Sequence, residues 1–367
     1  MSNKKQKTHE PLVFVTKRDT IPTVKAWLIR IAAIIAALIV CGLLTMFLTG
    51  ENPINVYASM IDGAVGTERR IWRLLQDIAI LLCVSLAVTP AFKMKFWNIG
   101  AEGQVLIGGL ATAMCSMFLS ESLPTHILIP VTFVVAIIAG AIWAVIPAIF
   151  KAQWNTNETL FTLMMNYIAI QLVSYFCFVY SVPKGSGKIP LLPKASWLPV
   201  IADNDYLMNI IIVVLITVAM YVYLKYSKHG YEISVVGESE NTAKYIGINV
   251  KKVIIRTLLL SGAICGIAGL LLVSGTNHTI ASNTVDGRGF TAIMVSWLAK
   301  FNPITMILTA FIIVFLEKGA GEISTTFGLN SSFSEIITGI IIFFIIGCEF
   351  FINYKVNFRN KKEASGK

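Results

Sequence analysis

The chain has 367 residues, of which 56% are hydrophobic and 14% are charged, and its mean hydropathy is +0.73. This composition excludes an ordinary soluble globular protein. The net charge of +10 does not indicate a nucleic-acid partner, because no basic patch with interleaved aromatic residues accompanies it. Several apolar runs exceed the ~18 residues needed to cross ~30 Å of hydrocarbon, and their continuity favours helices over a β-barrel. The sequence predicts an all-α polytopic membrane protein.

The apolar runs, taken in chain order, predict ten membrane spans. They cover residues 27–49, 74–92, 97–119, 126–150, 159–181, 207–226, 253–275, 286–299, 303–316 and 334–352. The eighth and ninth runs are only about 14 residues long. The tight connection Lys300-Phe301-Asn302-Pro303 between them predicts a helical hairpin or a partly re-entrant pair. We expect a transmembrane domain of residues 27–352 between the tails 1–26 and 353–367.

Basic residues indicate the orientation, because cytoplasmic loops retain Lys and Arg. Ten spans place both termini on one side, and a cytoplasmic placement puts 22 of the 30 Lys and Arg residues inside. Both tails are then basic cytoplasmic segments. The first apolar run follows about 26 polar residues and is too long for the apolar region of a signal peptide, so we expect it to remain as an anchor.

No pattern in the sequence suggests catalysis or metal binding. All six cysteines fall inside predicted spans, where small reduced packing residues are expected, and the four histidines lack metal-ligand spacing. The segment Gly185-Ser186-Gly187-Lys188 is like the end of a phosphate-binding loop. However, Val182 stands where that loop needs Gly, and Ile189 replaces its Ser or Thr. We expect no metal, no cofactor and no ATPase in this chain, and the Pro-rich stretch 182–206 is predicted to be an ordered extracellular loop.

Polar residues interrupt two of the predicted spans. In FWNIGAEGQVLIG, residues 96–108, Asn98 and Glu102 are four apart and share a helix face; in NETLFTLMMNYIA, residues 157–169, Glu158, Thr162 and Asn166 repeat at the same spacing. An acidic group that faced lipid at the bilayer centre would cost about 2.5 to 3.5 kcal/mol, so these groups should face protein or water. They line a translocation path, or they hold neighbouring helices together through hydrogen bonds.

A second set of residues predicts close helix packing. Gln104 points away from Glu102, on the side of Gly100 and Gly108, and the seventh span carries the small-residue pair Gly262 and Gly266. Small residues at fourfold spacing let helix backbones approach closely.

The connection 227–252 is the longest predicted cytoplasmic loop. Its residues 240–246 predict a short helix that begins after Ser239 and ends at Gly247. A short helix buries little against its own chain, so the loop is either a docking surface for a cytoplasmic partner or a solvated connection.

Four stretches, in this order, carry a resemblance to a known family: FWNIGAEGQVLIGG, NETLFTLMMNYIA, VVGESENTAKYIGIN and GRGFTAIMVSWLAKFNP. They resemble the permease subunits of bacterial ABC importers of the branched-chain amino acid and simple-sugar class. The likeness is greatest to the nucleoside-importing subgroup that works with basic-membrane-protein-type lipoproteins. It runs from about residue 70 to 350.

The resemblance implies a multi-pass permease of the bacterial plasma membrane. Its partners would be a second, related permease, a cytoplasmic ABC ATPase and an extracellular substrate-binding lipoprotein, with nucleosides moved by alternating access. The segment 237–249 then resembles the coupling helix that seats on the ATPase. Within it the coupling residues would be Gly237, Glu238, Asn241, Ala243 and Gly247.

Two other functions stay open from the sequence. The same scaffold serves permeases for simple sugars and branched-chain amino acids. A stand-alone transporter driven by an ion gradient is the alternative from a different class, and it predicts inverted repeats around a midplane ion site.

Overall fold

The computed structural model describes residues 13–18 and 21–358, and these residues are almost entirely helical. A short strand stands at each end of the described chain, β1 (Val13–Lys17) and β2 (Tyr354–Phe358). The helices between them are α1 (Thr23–Thr49), α2 (Pro53–Val65), α3 (Glu68–Lys93), α4 (Ala101–Leu119), α5 (Thr125–Trp154), α6 (Glu158–Tyr180), α7 (Leu207–Tyr226), α8 (Lys228–Glu238), α9 (Glu240–Tyr245), α10 (Val250–Leu272), α11 (Arg288–Leu298), α12 (Pro303–Thr326) and α13 (Ser331–Asn353).

Polar caps define where several of these helices begin. The Asn157 side chain accepts from the amide of Leu160 at 3.1 Å, and Asn249 accepts in the same way from Lys252 at 3.1 Å. Ser239 caps α9 by accepting from Thr242 at 3.3 Å, as its sequence position predicts. Such caps satisfy first-turn amides that have no partner inside the helix.

Within the described residues, nine helices are long and apolar enough to cross a membrane: α1, α3, α4, α5, α6, α7, α10, α12 and α13. One expectation about the spans is wrong. The ninth span is a full helix of 24 residues, Pro303–Thr326, because the helix continues through Glu317, Lys318 and Glu322, which made the apolar run appear short. The eighth is short, as expected: a helix of 11 residues, Arg288–Leu298.

Helix α2 has no counterpart among the predicted elements. Asn52 caps it, Pro53 occupies its first position, and its buried residues Val56, Met60 and Ala64 recur every four positions. This spacing gives one apolar face, but 13 residues are too few to span hydrocarbon.

The described chain forms two compact units. The first contains the described residues up to Gly66 and those from Leu316 onward. In it β1, which lies five residues before α1, pairs antiparallel with β2, which directly follows α13. Arg30 of α1 bonds to Glu349 of α13 at 2.5 Å. The described ends of the chain therefore lie together, which agrees with the even number of spans predicted from the sequence. These strands belong to the segments predicted as tails. Of those segments, residues 1–12, 19–20 and 359–367 lie outside the described residues.

The second unit contains Thr67–Phe315, and α3 is its central helix. Every residue of α3 from Gln76 to Phe92 is buried, which is the pattern of a helix surrounded by other helices. Helix α10 packs against α4 and α5 through glycines: a Cβ on Gly108 would lie 2.5 Å from Cα of Gly266, and one on Gly262 would collide with the carbonyl oxygen of Gly140. These contacts require the small residues that the sequence places there.

The eighth pass is discontinuous. Helix α10 ends in a π-helical turn, Val273–Asn277, and residues 278–287 then run without helical structure to α11. Helix α11 lies beside α3 in the same direction, because Arg288 contacts Asp77 and Ser296 bonds to the Ser85 carbonyl at 2.8 Å. Asp77 is roughly 14 Å along α3 from Glu68 at 1.5 Å per residue, so α11 begins well inside the helix bundle. We call residues 278–287 the non-helical lead-in. Counted together with α11 as one pass, this segment brings the number of passes over the described residues to ten.

The stretch 182–206 folds over this non-helical lead-in. Main-chain amides of Ile189, Leu192 and Leu198 donate to the carbonyls of Ile280, His278 and Ser274 at 3.3, 2.8 and 3.1 Å. These bonds satisfy backbone groups of a segment that has no helix of its own. The stretch is ordered, as its turn-forming composition predicts.

Candidate functional site

The carboxylate of Glu102 holds the beginning of α11. Glu102 is only 7% exposed; its Oε1 accepts from the amide of Gly287 at 2.9 Å, and its Oε2 accepts from the amide of Gly289 at 2.8 Å. The first amides of a helix lack internal partners and carry a partial positive charge, so a buried carboxylate is stabilised there. Gly289 makes this approach possible, because a Cβ would lie 2.5 Å from the Glu102 nitrogen.

An ion pair fixes the same helix end to α3. Arg288 Nη2 lies 2.7 Å from Asp77 Oδ1, and the two side chains are 19% and 11% exposed. Together with Glu102, this pair ties the start of α11 to two helices that come from distant parts of the sequence.

Asn98 organises the turn that precedes α4. Its Oδ1 accepts from the Gly100 amide at 3.1 Å and from Gln104 Nε2 at 3.2 Å, and its Nδ2 reaches Ser261 Oγ at 3.4 Å. The expectation that Asn98 and Gln104 lie on separate faces is wrong, because α4 begins only at Ala101 and Asn98 folds back over its first turn. Gly100 is the residue before the helix, where a Cβ would lie 3.1 Å from Thr162.

Three polar residues, Glu158, Thr162 and Asn166, form a row along α6. Two of them contact the backbone around the start of α4. Asn166 donates to the Ile99 carbonyl at 2.9 Å and accepts from the Gly103 amide at 2.8 Å, and Thr162 accepts from the Ile99 amide at 3.2 Å. The third member of the row, Glu158, instead forms an ion pair with Lys151 at 2.9 Å. These contacts favour the interhelical interpretation of the row, and a role in lining a path stays a prediction.

A buried polar cluster that was not predicted from the sequence surrounds the π-helical turn. We define it as Gln76, Asn209, Ser274 and Thr276. The amides of Gln76 and Asn209 both donate to Thr276 Oγ1, the second at 3.4 Å. Gln76, Asn209 and Ser274 are at most 2% exposed. Within the described part of the chain, Gln76 Oε1, Asn209 Oδ1 and Ser274 Oγ have no hydrogen-bond partner.

Such free groups are costly in a protein interior unless water or a solute satisfies them. Discontinuous helices and π-turns recur at the binding sites of membrane proteins and enzymes. The polar cluster is therefore a candidate solute contact, built only from neutral amides and hydroxyls. Only the break in helical periodicity near Gly275 could have indicated it from sequence.

The loop 227–252 folds into two short helices, α8 and α9. Glu238, Asn241 and Gly247 are exposed, and Gly247 ends α9 with a φ of +84° that favours glycine. Gly237 and Ala243 are buried instead: a Cβ on Gly237 would collide with the Lys93 carbonyl, and Ala243 is 0% exposed. Two residues outside the predicted set are prominent, Tyr245 at 92% exposure and Ile246 at 51%.

The chain matches a family model described as the permease component of branched-chain amino acid transport systems, over residues 70–346. The protein belongs to this permease family. Its members are transport components, and a permease with this many apolar helices is a multi-pass protein of the cell membrane.

Curated relatives of this permease are named for two substrate classes. The glucose ABC transporter permease protein TsgB13 of Haloferax volcanii is 29% identical over 355 residues, which cover 92% of each chain. The guanosine permease protein NupP of Bacillus subtilis is 30% identical over 87% of this chain and 92% of its own. The nucleoside permease protein NupB of Lactococcus lactis is 27% identical over 83% of this chain and 86% of its own.

Each of these three organisms also has a second related permease. NupQ of Bacillus subtilis, also a guanosine ABC transporter permease, is 24% identical over 232 residues, and NupC of Lactococcus lactis is 24% identical over 226 residues. This permease is thus a subunit of an ABC transporter, and its relatives in these organisms occur in pairs.

Proposed function

We propose that this permease forms, together with a second related permease, the membrane path of an ABC importer for nucleosides. The observation that carries the proposal is the pair of nucleoside-transporting relatives, NupP and NupB, each matching more than four fifths of the chain. An extracellular lipoprotein would deliver the solute, and a cytoplasmic ABC ATPase would supply the energy.

The polar cluster is chemically suited to a neutral solute. Its free groups are two amide oxygens and a hydroxyl, which accept hydrogen bonds from hydroxyl or amino groups and offer no charge to an ion. A nucleoside presents such donors on its ribose and on its base. A zwitterionic amino acid would need charged partners, and none belongs to the cluster.

Asn98, Glu102, Glu158, Thr162 and Asn166 remain part of the proposed path in a supporting role. Glu102, Thr162 and Asn166 bond to the backbone of neighbouring elements and fix α4, α6 and α11 relative to one another. Asn98 bonds to the Ser261 side chain of α10, and Glu158 pairs with Lys151 of α5. Alternating access requires helices that move as connected bodies, and this network connects the discontinuous pass to its neighbours.

The exposed face of α9 is the proposed contact for the ATPase. Glu238, Asn241 and Gly247 lie on the same exposed loop as Tyr245 and Ile246. An exposed aromatic residue beside an exposed aliphatic one is the kind of anchor that interfaces bury. Buried Gly237 and Ala243 would hold α8 and α9 in place against the rest of the chain.

A sugar permease is the second candidate, and the match to TsgB13 over 92% of the chain favours it. A sugar also presents neutral hydroxyl donors, so the polar cluster fits both classes. An ion-driven transporter without an ATPase is not supported by the family, whose relatives are ABC transporter subunits.

Uptake by the reconstituted complex tests the proposal. The chain, a second permease, the ATPase and the lipoprotein are placed in proteoliposomes, and uptake of labelled guanosine, glucose and leucine is compared with and without ATP. We expect ATP-dependent guanosine uptake that unlabelled nucleosides inhibit. Glucose uptake that nucleosides leave unchanged, or uptake by the chain alone in an ion gradient, would overturn the assignment.

A further inference from the structure

A basic cleft lies beside the proposed ATPase-docking loop. It has a volume of about 580 Å³, and its walls are the first turns of α8 and residues 246–256. We name it the basic cleft and define it by its charged and aromatic lining: Lys228, His229, Tyr231, Glu232, Lys252 and Arg256.

The basic cleft lies at the boundary between membrane spans and polar loops. Lys228 follows the end of α7 by two residues, and Lys252 is the third residue of α10. Arg256 is roughly 9 Å further along α10 from Val250 at 1.5 Å per residue. In a membrane this level is the headgroup layer, where phosphate groups are concentrated.

The charge in the basic cleft is positive. Lys228, Lys252 and Arg256 stand against one carboxylate, Glu232, which is only 2.7 Å from Arg256 Nη2. The hydrogen bond from Arg256 lowers the pKa of Glu232, so the two form a neutral pair and both lysines remain uncompensated within the lining. Arg256 Nε is buried and has no hydrogen-bond partner among the described residues.

This chemistry suits a phosphate diester at a membrane surface. Two lysines supply point charges, and a guanidinium adds directed donors to phosphate oxygens. Tyr231, 61% exposed, lies in the same lining, and its ring offers apolar surface to the glycerol and first acyl carbons. Basic pockets at the cytoplasmic end of helices bind anionic lipid headgroups by this combination.

We propose that the basic cleft binds the phosphate of an anionic phospholipid from the inner leaflet. The bound lipid places negative charge between α8 and α10, next to the loop that would receive the ATPase. The proposal depends on the cytoplasmic placement of residues 227–252 and not on which solute is transported.

Lipid retention by the purified full-length chain tests this site. The chain in detergent is titrated with phosphatidylglycerol or phosphatidylcholine, and bound lipid is counted by native mass spectrometry. We expect phosphatidylglycerol to bind and Lys252→Gln to weaken it about fivefold, the effect of one basic residue near an anionic surface. The control is Lys251→Gln, which removes the same charge from the same turn of α10 but does not line the cleft; its retention should equal that of the unmodified chain.

Further measurements identify the source of the bound phosphate and distinguish a loss of lipid binding from a loss of folding. Glycerol phosphate that displaces the lipid supports recognition of the headgroup, whereas inorganic phosphate that binds while phosphatidylglycerol does not would overturn the proposal. An equal loss of lipid retention in Lys251→Gln and Lys252→Gln would also overturn the proposal. So would a Lys252→Gln variant that retains lipid as the unmodified chain does but no longer associates with the ATPase. Because Arg256→Gln leaves Glu232 unpaired, Arg256 is tested in the double variant Glu232→Gln/Arg256→Gln, in which retention should fall.

Discussion

The carboxylate of Glu102 lies 2.8 Å from the backbone amide of Gly289, and this contact joins the first turn of α4 to the first turn of a helix 187 residues later in the chain. Replacement by Gln would leave one oxygen acceptor for two amides and would remove the charge. We expect Glu102→Gln to lose about 1.5 to 3 kcal/mol of stability, the usual cost for hydrogen bonds to a charged group. Thermal unfolding in detergent measures the loss.

The same variant separates a structural role from contact with the solute. If Glu102 acts through α11, uptake per correctly assembled complex should stay close to that of the unmodified transporter. Full thermal stability combined with lost uptake would contradict this and would assign Glu102 to the path itself.

The ion pair between Asp77 and Arg288 gives a second prediction. Removing one partner of a largely buried pair strands the other charge, which costs about 3 to 5 kcal/mol. We expect Asp77→Asn, which leaves Arg288 without this carboxylate, to destabilise the protein more than the double variant Asp77→Asn/Arg288→Gln. A double-mutant cycle on unfolding midpoints measures this coupling, and additive effects would show that the pair contributes little.

Glycine contacts between α4 and α10 predict a third outcome. A Cβ on Gly108 would lie 2.5 Å from Gly266 Cα, so Gly108→Ala must separate two helix backbones and should cost about 1 to 3 kcal/mol. Gly339 is a matched control, because no atom lies within 4 Å of its hypothetical Cβ. There the same substitution should be neutral or stabilising by about 0.5 to 1 kcal/mol. Equal effects at the two positions would disprove the close approach.

Hydrophobicity predicted the membrane class and most spans, because a helix that crosses lipid is a continuous apolar stretch of the sequence. It did not predict that α12 continues through Glu317 and Glu322, since a window of apolar residues ends at charge even where the helix does not. Hydrophobicity did not predict α2, because this helix is too short to span a membrane. Only a search for helical periodicity would find its apolar face of Val56, Met60 and Ala64.

The partners of the polar residues could not be read from the sequence. Helical spacing placed Asn98 with Glu102, but Asn98 lies before the helix and contacts Gln104 instead. Spacing describes neighbours on one helix, whereas the partner of Glu102 is a backbone amide of Gly289, far along the chain. Backbone amides carry no residue-type signal, so only the fold could reveal this site.

The pair between Glu232 and Arg256 predicts a pH dependence. Its hydrogen bond lowers the pKa of Glu232 in the folded chain, so the stabilisation is complete above the unfolded value of about 4.3 and is lost as the pH falls through the folded pKa. The stability difference between the unmodified chain and Glu232→Gln should be constant from about pH 6 to 8 and shrink below about pH 4. Unfolding midpoints measured across this range check it; a difference that changes near neutrality would contradict the assignment.

The exposed end of α9 predicts how the ATPase binds. Tyr245 is 92% exposed, so Tyr245→Ala should leave the fold intact while weakening ATPase association more than about tenfold, as loss of an interface anchor does. Co-purification of the ATPase and solute-stimulated ATP hydrolysis measure the effect. Tyr226→Ala is the control, since Tyr226 is also exposed, at 68%, but lies on α7. Ala243→Arg is a different case, because Ala243 is fully buried and its substitution should lower the unfolding midpoint as well. Retained ATPase association in Tyr245→Ala would move the docking surface away from α9.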